Sequence, residues 1–231
     1  MPSSPQNPGR GTGLPSGTVV VPVYHGVAYL RECLTSILAQ QEVDFDVVVV
    51  DDHSTDGSDA IARSMEGPRL RYLRNQQRLG IGGNWNRGLR EARGDWVCVF
   101  HQDDRMEPGN LRRKVAVLAE RPEVGMVFSN ARLIGTRGEN RGVFNDALAK
   151  AVGDPAWAPR ELWEDLLFAP RTPACCPTVV LRRSAVEAVG PFSESLPFTL
   201  DLEMWLRVAG RFGVVALRES LIAYRHHEAQ E

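Results

Sequence analysis

The sequence lacks three features that would each indicate a functional class: a long apolar run, an excess of positive charge and a dense cysteine pattern. No stretch approaches the roughly 18 consecutive apolar residues that a transmembrane helix needs. The 231 residues include 27 basic and 29 acidic side chains, a formal net charge of −2, which argues against a nucleic-acid partner. The N-terminus has no apolar core of a signal peptide. We therefore expect a cytoplasmic protein, with any membrane association peripheral and at the inner face.

The four cysteines are too few and too irregularly spaced to define a disulfide framework. Cys33, Cys98, Cys175 and Cys176 form no C-x-x-C pair, the spacing typical of metal-binding or redox-active thiols. The adjacent Cys175 and Cys176 could ligate a metal or form a strained disulfide, but two packed thiols are the favoured interpretation. Cys98 lies in an apolar run, where free cysteine behaves as a small hydrophobic residue. The pattern favours a reducing compartment.

The chain divides into three parts by pattern. Residues 1–17 are rich in Pro, Gly and Ser and are predicted to form a disordered leader. Residues 18–231 show neither a linker nor an internal repeat and are predicted to form one domain. Over 18–133 strands and helices alternate, which favours an α/β fold with a doubly wound, mostly parallel sheet flanked by helices. The C-terminal half changes this order and is predicted to be an elaboration on the same sheet that receives a second substrate.

Short apolar runs predict strands, and apolar residues at helical spacing predict helices. The predicted strands are 18–23, 45–50, 70–73, 96–100, 124–130, 178–181 and 214–217. The predicted helices are 27–40, one starting near residue 58, 81–93, 108–121, 159–168, 184–189 and 200–211. Pro22 cannot donate to a sheet ladder, so the first strand is expected to end there. The polar, Gly-rich start of 135–153 predicts a loop.

Two acidic clusters stand at the ends of apolar runs. One run, beginning at Phe45, ends at Asp51-Asp52, and another, beginning at Trp96, leads to Asp103-Asp104. The carboxyl ends of neighbouring parallel strands meet where open α/β sheets bind ligands. Hard oxygen ligands suit Mg²⁺ or Mn²⁺. Together the two clusters predict a site for a divalent metal and a phosphorylated ligand.

Each cluster also has a plainer interpretation. Asp51-Asp52 alone can be a turn that caps the next helix, or one carboxylate can hold a ribose or base. Asp103-Asp104 can be the turn before a helix, but two adjacent carboxylates are costly to desolvate without a cation or a hydrogen-bond donor. Tyr24, after the first strand, can stack on a base or simply pack.

Short motifs occur along nearly the whole chain after the leader. They are 19–24 (VVVPVY), 34–41 (LTSILAQQ), 50–58 (VDDHSTDGS), Asn75, Gly80, 86–88 (NRG), 92–95 (ARGD), 100–104 (FHQDD), 190–192 (GPF), 201–207 (DLEMWLR) and 224–227 (YRHH). Each motif is short, but in their order and spacing they resemble glycosyltransferase family 2, whose members have the GT-A fold.

The resemblance implies a reaction and its partners. Family members transfer a sugar from a nucleotide-sugar donor to an acceptor hydroxyl, on a saccharide or another molecule, with inversion at the anomeric carbon. The metal, Mg²⁺ or Mn²⁺, would bridge the donor's diphosphate and neutralise charge on the leaving group. A role in polysaccharide biosynthesis follows only by extension from the family.

The resemblance also implies roles for donor-binding residues. Pro22 and Tyr24 match positions that line the donor's base. Asp52 matches the acidic residue that binds base or ribose. Asp103 and Asp104 match the family's metal motif; we assign Asp103 to donor binding and Asp104 as the metal ligand.

Two further roles and two departures come from the same comparison. Asp201 matches the general base that deprotonates the acceptor, and His227 matches a histidine that completes the metal or diphosphate site. His101 stands where the metal motif often has Asp, which affects a secondary contact. Leu200 stands where Glu often precedes the base, so Glu203 is a rival for that role.

Two other functional classes compete with the transferase. A non-catalytic sugar-nucleotide-binding module would keep the fold and bind donor without turnover. A nucleotidyltransferase would need a Gly-rich loop with Lys or Arg after the first strand, and residues 24–27 (YHGV) contain neither.

Overall fold

The computed structural model describes residues 13–145, 156–157, 174–196 and 198–227. The helices are α1 (Leu30–Leu38), α2 (Ser58–Ser64), α3 (Gly80–Glu91), α4 (Asn110–Glu120), α5 (Arg183–Val189) and α6 (Leu200–Ala209). The strands are β1 (Gly17–Val23), β2 (Phe45–Asp51), β3 (Leu70–Arg74), β4 (Trp96–Val99), β5 (Arg105–Met106), β6 (Val124–Ile134), β7 (Asn140–Val143), β8 (Ala156–Trp157), β9 (Val179–Arg182) and β10 (Gly213–Arg225). The predicted helix at 159–168 lies outside the described residues.

All the described strands belong to a single mixed sheet, which confirms the predicted α/β fold. The strand order is β3-β2-β1-β4-β9-β6-β10-β5, with β7 paired to β6 and β8 to β10. The strands β3, β2, β1 and β4 are parallel. β9 then inserts antiparallel between β4 and β6, and β10 runs parallel to β6. The sequence gives no sign of this insertion, because a buried antiparallel strand is as apolar as a parallel one.

Both faces of the sheet are buried, which explains the continuous valine runs. Val19 and Val21 of β1 pack with α1, α2 and α4 on one face. Val20 of β1 and Val48 of β2 face the opposite core, which contains α5 and α6. Each fully buried valine contributes roughly 1.5 kcal/mol or more of hydrophobic stabilisation. This two-sided burial fixes the strands whose carboxyl ends build the cleft described below.

Strand boundaries depart from the predictions where polar residues interrupt an apolar pattern. β10 extends to Arg225 instead of ending near residue 217, with register shifts around Ser220. The loop predicted over 135–153 contains β7, paired antiparallel with β6. β1 continues past Pro22 to Val23. Pro22 follows the last pair with β4, Val20–Val99, so its missing N–H removes no ladder bond on that side.

β1 begins one residue earlier than predicted, at Gly17. The Ser16 carbonyl accepts the N–H of Asp95 at 2.7 Å, and the Pro15 carbonyl accepts the indole N–H of Trp96 at 2.9 Å. The rest of the predicted leader, up to residue 12, lies outside the described residues. Within the described ranges, no helix is both long and apolar enough to cross a membrane.

Lys114 of α4 is a fully buried ammonium group, and its Nζ has no hydrogen-bond partner among the described residues. Burial lowers the pKa of Lys114 to about 8, and Cys98 and Cys175 oppose that change only partly. An unfolded lysine has a pKa near 10.4. Between these two values the unfolded chain binds a proton that the folded protein has released. Taken by itself, Lys114 therefore makes the free energy of unfolding rise with pH across this window. The four buried cysteines act in the opposite direction, because burial raises the pKa of each thiol.

We expect Lys114→Met to raise the free energy of unfolding at pH 7 by roughly 1–3 kcal/mol, because it removes the cost of the buried charge. The stability gain of the variant over the wild type should shrink between pH 8 and pH 10, because the folded wild type releases the Lys114 proton first. Urea unfolding of the wild type and the variant at pH 7, pH 8 and pH 10 measures the two effects. Arg113→Met is the matched control, since Arg113 forms an exposed ion pair with Glu219 and should change stability by less than about 1 kcal/mol. A less stable Lys114→Met protein at pH 7 would contradict the expectation.

Candidate active site at the carboxyl end of the sheet

A cleft of about 1040 Å³ opens where β1, β2, β4 and β10 end. These strands all point the same way, because β6 and β10 are parallel to β4 through the antiparallel β9. Five residues predicted to be functional line this cleft: Pro22, Tyr24, Asp52, Asp103 and His227. Asp104 and Asp201 are not among its described lining residues, and their positions are given below.

Tyr24 is held at the cleft by a side chain that continues the sheet ladder beyond β4. The Gln102 amide accepts the N–H of Tyr24 at 3.0 Å and donates to its carbonyl at 2.9 Å. A Cβ on Gly26 would lie 2.2 Å from Gln102 Oε1, so this contact requires glycine at position 26. Arg78 lies 3.9 Å above the Tyr24 ring, and His25 stacks on Tyr24 at 4.1 Å between centroids. The result is an aromatic and cationic wall on one side of the cleft.

Asp52 is buried and anchors the start of α3. Its Oδ1 accepts hydrogen bonds from Asn75 Nδ2 and the Leu79 N–H, both at 2.7 Å, and its Oδ2 accepts the Gly80 N–H at 2.9 Å. A carboxylate has about four acceptor sites, so Oδ2 retains capacity for one more donor from the cleft. Asp51 instead stabilises the turn after β2, since it accepts the Ser54 N–H at 2.8 Å and the Tyr72 hydroxyl at 2.5 Å. The Ser58 N–H at the start of α2 donates to Asp56 at 3.0 Å.

The second acidic cluster forms a compact group of possible metal ligands. One ligand atom from each of His101, Asp103 and Asp104 lies within 4.8 Å of the others. His101 Nδ1 is 3.9 Å from Asp104 Oδ2, and the His101 side chain is 26% exposed. Two carboxylates and an imidazole are a donor set that fits a divalent cation.

Asp104 has a feature that an ordinary turn residue would lack. Its side chain is fully buried, Oδ1 accepts the Arg225 N–H at 2.8 Å, and Oδ2 has no hydrogen-bond partner among the described residues. Burial raises the pKa of Asp104 well above its usual range, and the charge of Asp103 adds to this, while Arg225 opposes it. An unpartnered buried carboxylate oxygen is costly, and a bound cation would compensate it.

The end of β10 fixes this cluster in place. Arg225 is 2% exposed, and its Nε donates to the Asp103 carbonyl at 2.8 Å. Its Nη2 donates to Glu32 at 2.6 Å, and its guanidinium lies 4.4 Å from the Tyr29 ring centroid. His227 Nε2 lies 2.8 Å from Asp103 Oδ2. His227 therefore contacts the carboxylate predicted to bind donor.

Asp201 and Glu203, the two rivals for the base, have different surroundings on α6. Glu203 makes two bonds to Arg207, at 2.6 and 2.7 Å. Asp201 accepts the adjacent Leu202 N–H at 2.8 Å. Burial raises the pKa of Asp201, while His101 opposes that shift. Asp201 also opposes the lowering of the His101 pKa that burial causes, so these two side chains interact electrostatically.

Several cleft residues were not singled out by the sequence analysis. Gln102 lies within a quoted motif, but its role depends on Tyr24, 78 residues away in sequence. Trp85 of α3 lines the cleft and contacts the rings of His101 at 5.5 Å and Phe192 at 5.1 Å. Arg78 precedes α3 without a local motif. His101 could be found from the sequence, because it stands where the metal motif often has Asp.

Comparison with solved structures identifies the fold. S. aureus TarS (residues 1–349), in complex with UDP-GlcNAc, superposes with a TM-score of 0.75 at 20% identity, over 92% of this chain and 59% of that chain. The mannosyltransferase PcManGT from Pyrobaculum calidifontis, in complex with GDP-Man and Mn²⁺, gives a TM-score of 0.69 at 21% identity, over 94% of this chain and 58% of that one. The fold is therefore the GT-A fold.

Comparison of sequences identifies the family. An uncharacterized protein of Mycobacterium tuberculosis is 34% identical over 93% of this chain and 68% of its own length. The succinoglycan biosynthesis protein ExoO of Rhizobium meliloti is 32% identical over 61% of this chain and 40% of its own. The chain thus spans only part of the length of these relatives. Residues 18–190 match the family described as Glycosyl transferase family 2, and the chain belongs to that family.

Proposed function

We propose that this protein transfers a sugar from a nucleotide-sugar donor to an acceptor hydroxyl, with inversion and with the help of Mg²⁺ or Mn²⁺. The observation that carries the proposal is the buried Oδ2 of Asp104 beside Asp103 and His101, which has no hydrogen-bond partner in the described part of the chain. A cluster of this kind at the end of the sheet fits a metal–diphosphate complex better than it fits a turn. The UDP-GlcNAc complex of TarS and the GDP-Man and Mn²⁺ complex of PcManGT support the proposal for the shared fold.

The nucleoside would occupy the wall formed by Tyr24 and Arg78. An exposed guanidinium over an aromatic ring presents a flat surface against which a base can stack. Pro22 would line the same subsite, and Asp52 would accept a hydrogen bond from ribose or base through Oδ2. The donor base and sugar would be set by this wall and by the loops around it.

The diphosphate would lie over the cluster at the ends of β4 and β10. Asp104 and Asp103 would hold the cation, with His227 completing the metal or diphosphate site. When bound, the cation supplies charge stabilisation to the departing diphosphate. Arg225 acts indirectly, since its N–H and guanidinium position Asp104 and the Asp103 backbone.

Asp201 would accept the proton of the acceptor hydroxyl as that oxygen attacks the anomeric carbon. A single displacement with inversion requires the base on the face opposite the leaving diphosphate. The raised pKa of Asp201 suits a general base, because its basicity is closer to neutral pH. The acceptor is proposed to be a saccharide, a class that fits the biosynthetic name of the relative ExoO.

A thermal-shift screen of UDP-, GDP-, dTDP- and CMP-sugars tests donor binding. We expect one nucleotide class to raise the melting temperature in the presence of Mn²⁺, by several degrees at about 100 times its Kd. Chelating the metal should remove most of the shift, and the matching nucleoside without phosphate is the control. Stabilisation by no donor, or by donors regardless of metal, would contradict the proposal. Donor binding without transfer to any acceptor would favour the non-catalytic module.

A further inference from the structure

His101 brings a nitrogen ligand into a cluster that otherwise offers carboxylate oxygens. Its Nδ1 is 3.9 Å from the unpartnered Asp104 Oδ2. The other ring nitrogen, Nε2, is also buried and has no hydrogen-bond partner among the described residues. Within the described ranges neither nitrogen is therefore committed to a hydrogen bond, and Nδ1 is available to a ligand.

The separation of these atoms suits a shared ion. Bonds of about 2.0–2.2 Å to one metal allow two ligand atoms to lie up to about 4.3 Å apart. The 3.9 Å between His101 Nδ1 and Asp104 Oδ2 falls inside this limit. Three ligand atoms spaced equally around one such ion lie about 3.7 Å apart. The 4.8 Å that bounds the whole cluster with Asp103 would therefore have to close by about 1 Å, a shift that side-chain rotation of Asp103 can provide.

The ring of His101 is held in position by its neighbours. Trp85 contacts it at 5.5 Å between ring centroids, and the His101 carbonyl accepts the Cys33 thiol at 3.3 Å. Trp85 is itself packed edge-on against Phe192. A preorganised imidazole loses little freedom when it binds a metal, so its contribution to affinity is retained.

We propose that His101 is a metal ligand in this protein and makes its site selective for Mn²⁺ and related transition-metal ions over Mg²⁺. The inference rests on the metal site of the proposed function. Mg²⁺ prefers an all-oxygen shell and keeps several waters. Imidazole suits transition metals such as Zn²⁺, Fe²⁺ and Ni²⁺, and affinity rises from Mn²⁺ along the first row, so Mn²⁺ gains the least of these ions from the histidine. An aspartate at position 101 would offer Mg²⁺ a third carboxylate; the histidine does not.

Titration of the metal-free 231-residue protein with Mn²⁺ or Mg²⁺, without donor, tests the inference by calorimetry. The wild type should bind Mn²⁺ at least about tenfold more tightly than Mg²⁺. His101→Asn keeps the charge neutral and replaces the nitrogen with an amide oxygen, so Mn²⁺ affinity should fall about tenfold with little change for Mg²⁺. His101→Asp should bring the two affinities within about threefold by strengthening Mg²⁺ binding.

His53→Asn is the matched control. His53 is an exposed histidine with φ of +67°, a conformation that asparagine tolerates, and its substitution should leave both affinities unchanged. Thermal unfolding of each variant checks that the fold is retained. Equal affinities in the wild type, an unchanged ratio in both His101 variants, or binding of neither metal would overturn the inference.

The two proposals fail in distinguishable ways. A protein that binds donor equally well with Mg²⁺ and Mn²⁺ would keep the proposed transfer and overturn only the role of His101. A protein that binds Mn²⁺ selectively, but is stabilised by no nucleotide-sugar, would keep the role of His101 and overturn the transfer.

Discussion

Replacing Asp104 with asparagine is expected to abolish sugar transfer while leaving the metal-free protein at least as stable as the wild type. The buried carboxylate is desolvated, and its Oδ2 has no partner among the described residues. Removing its charge therefore relieves a cost in the metal-free state, on the order of 1 kcal/mol. Asparagine can keep an oxygen for the Arg225 N–H, which the wild-type Oδ1 accepts at 2.8 Å.

The transfer activity of Asp104→Asn should fall, although its metal-free stability is kept. Loss of the principal metal ligand removes the charge stabilisation of the departing diphosphate, which is worth several kcal/mol. We expect transfer to fall at least about thousandfold and the metal-dependent thermal shift with donor to disappear. Urea unfolding without metal and a transfer assay with Mn²⁺ measure the two effects on the same preparation.

Asp59→Asn is the control for Asp104→Asn. Asp59 is 36% exposed and lies 3.7 Å from Arg74, so its loss should change stability by less than about 1 kcal/mol and leave transfer intact. Near-normal turnover by Asp104→Asn would reject the proposed metal ligand. A strong loss of metal-free stability would show that the carboxylate has a structural role instead. Lost transfer together with unreduced metal-free stability would show that Asp104 is kept for function at the expense of stability.

Replacing Asp201 with asparagine is the second large effect, and here donor binding should survive. The variant keeps the size of the side chain and the oxygen that accepts the Leu202 N–H but cannot take the acceptor's proton. Loss of a general base lowers turnover by about a hundredfold to ten-thousandfold. The thermal shift with donor and Mn²⁺ should remain within error of the wild type, because the proposed contact of Asp201 is with the acceptor hydroxyl and not with the donor or the metal.

Glu203→Gln provides the matched comparison on the same helix. Glu203 forms a two-bond ion pair with Arg207, which also donates to the carbonyls of Val189 and Gly190. Its substitution should lower stability by about 1 kcal/mol or less and leave turnover within a few-fold. Inactive Glu203→Gln with active Asp201→Asn would transfer the base role to Glu203. Full activity in both variants would show that neither acidic residue of α6 is the general base.

Much of the fold was predictable because its signals are local. Valine runs such as 47–50 and the helical spacing around Leu34 and Ile37 are properties of neighbouring residues, and both elements formed close to their predicted positions. Paired acidic residues after two parallel strands likewise had to meet at one edge of the sheet. Asp52 and Asp103 do line one cleft. Their predicted roles in donor binding remain predictions.

Contacts between distant parts of the chain could not be predicted in the same way. β9 enters the sheet between β4 and β6 only because its apolar side chains fit between two strands that precede it by many residues. Gln102 binds the backbone of Tyr24 only because β1 extends beyond β4. Neither arrangement leaves a local pattern in the sequence.

The sequence by itself determined the alternating strands and helices, the acidic clusters at strand ends and the order of motifs that indicates the family. Those features depend on short-range periodicity and on residue types, and they need no knowledge of strand pairing. The tertiary structure decided which oxygen of Asp104 has no partner among the described residues, and that Arg225 and His227 contact Asp103 from more than 120 residues away. It also decided that Glu203 pairs with Arg207, while the charge of Asp201 acts on the pKa of His101. These outcomes depend on burial and on contacts across the sheet, which arise only when distant segments pack together.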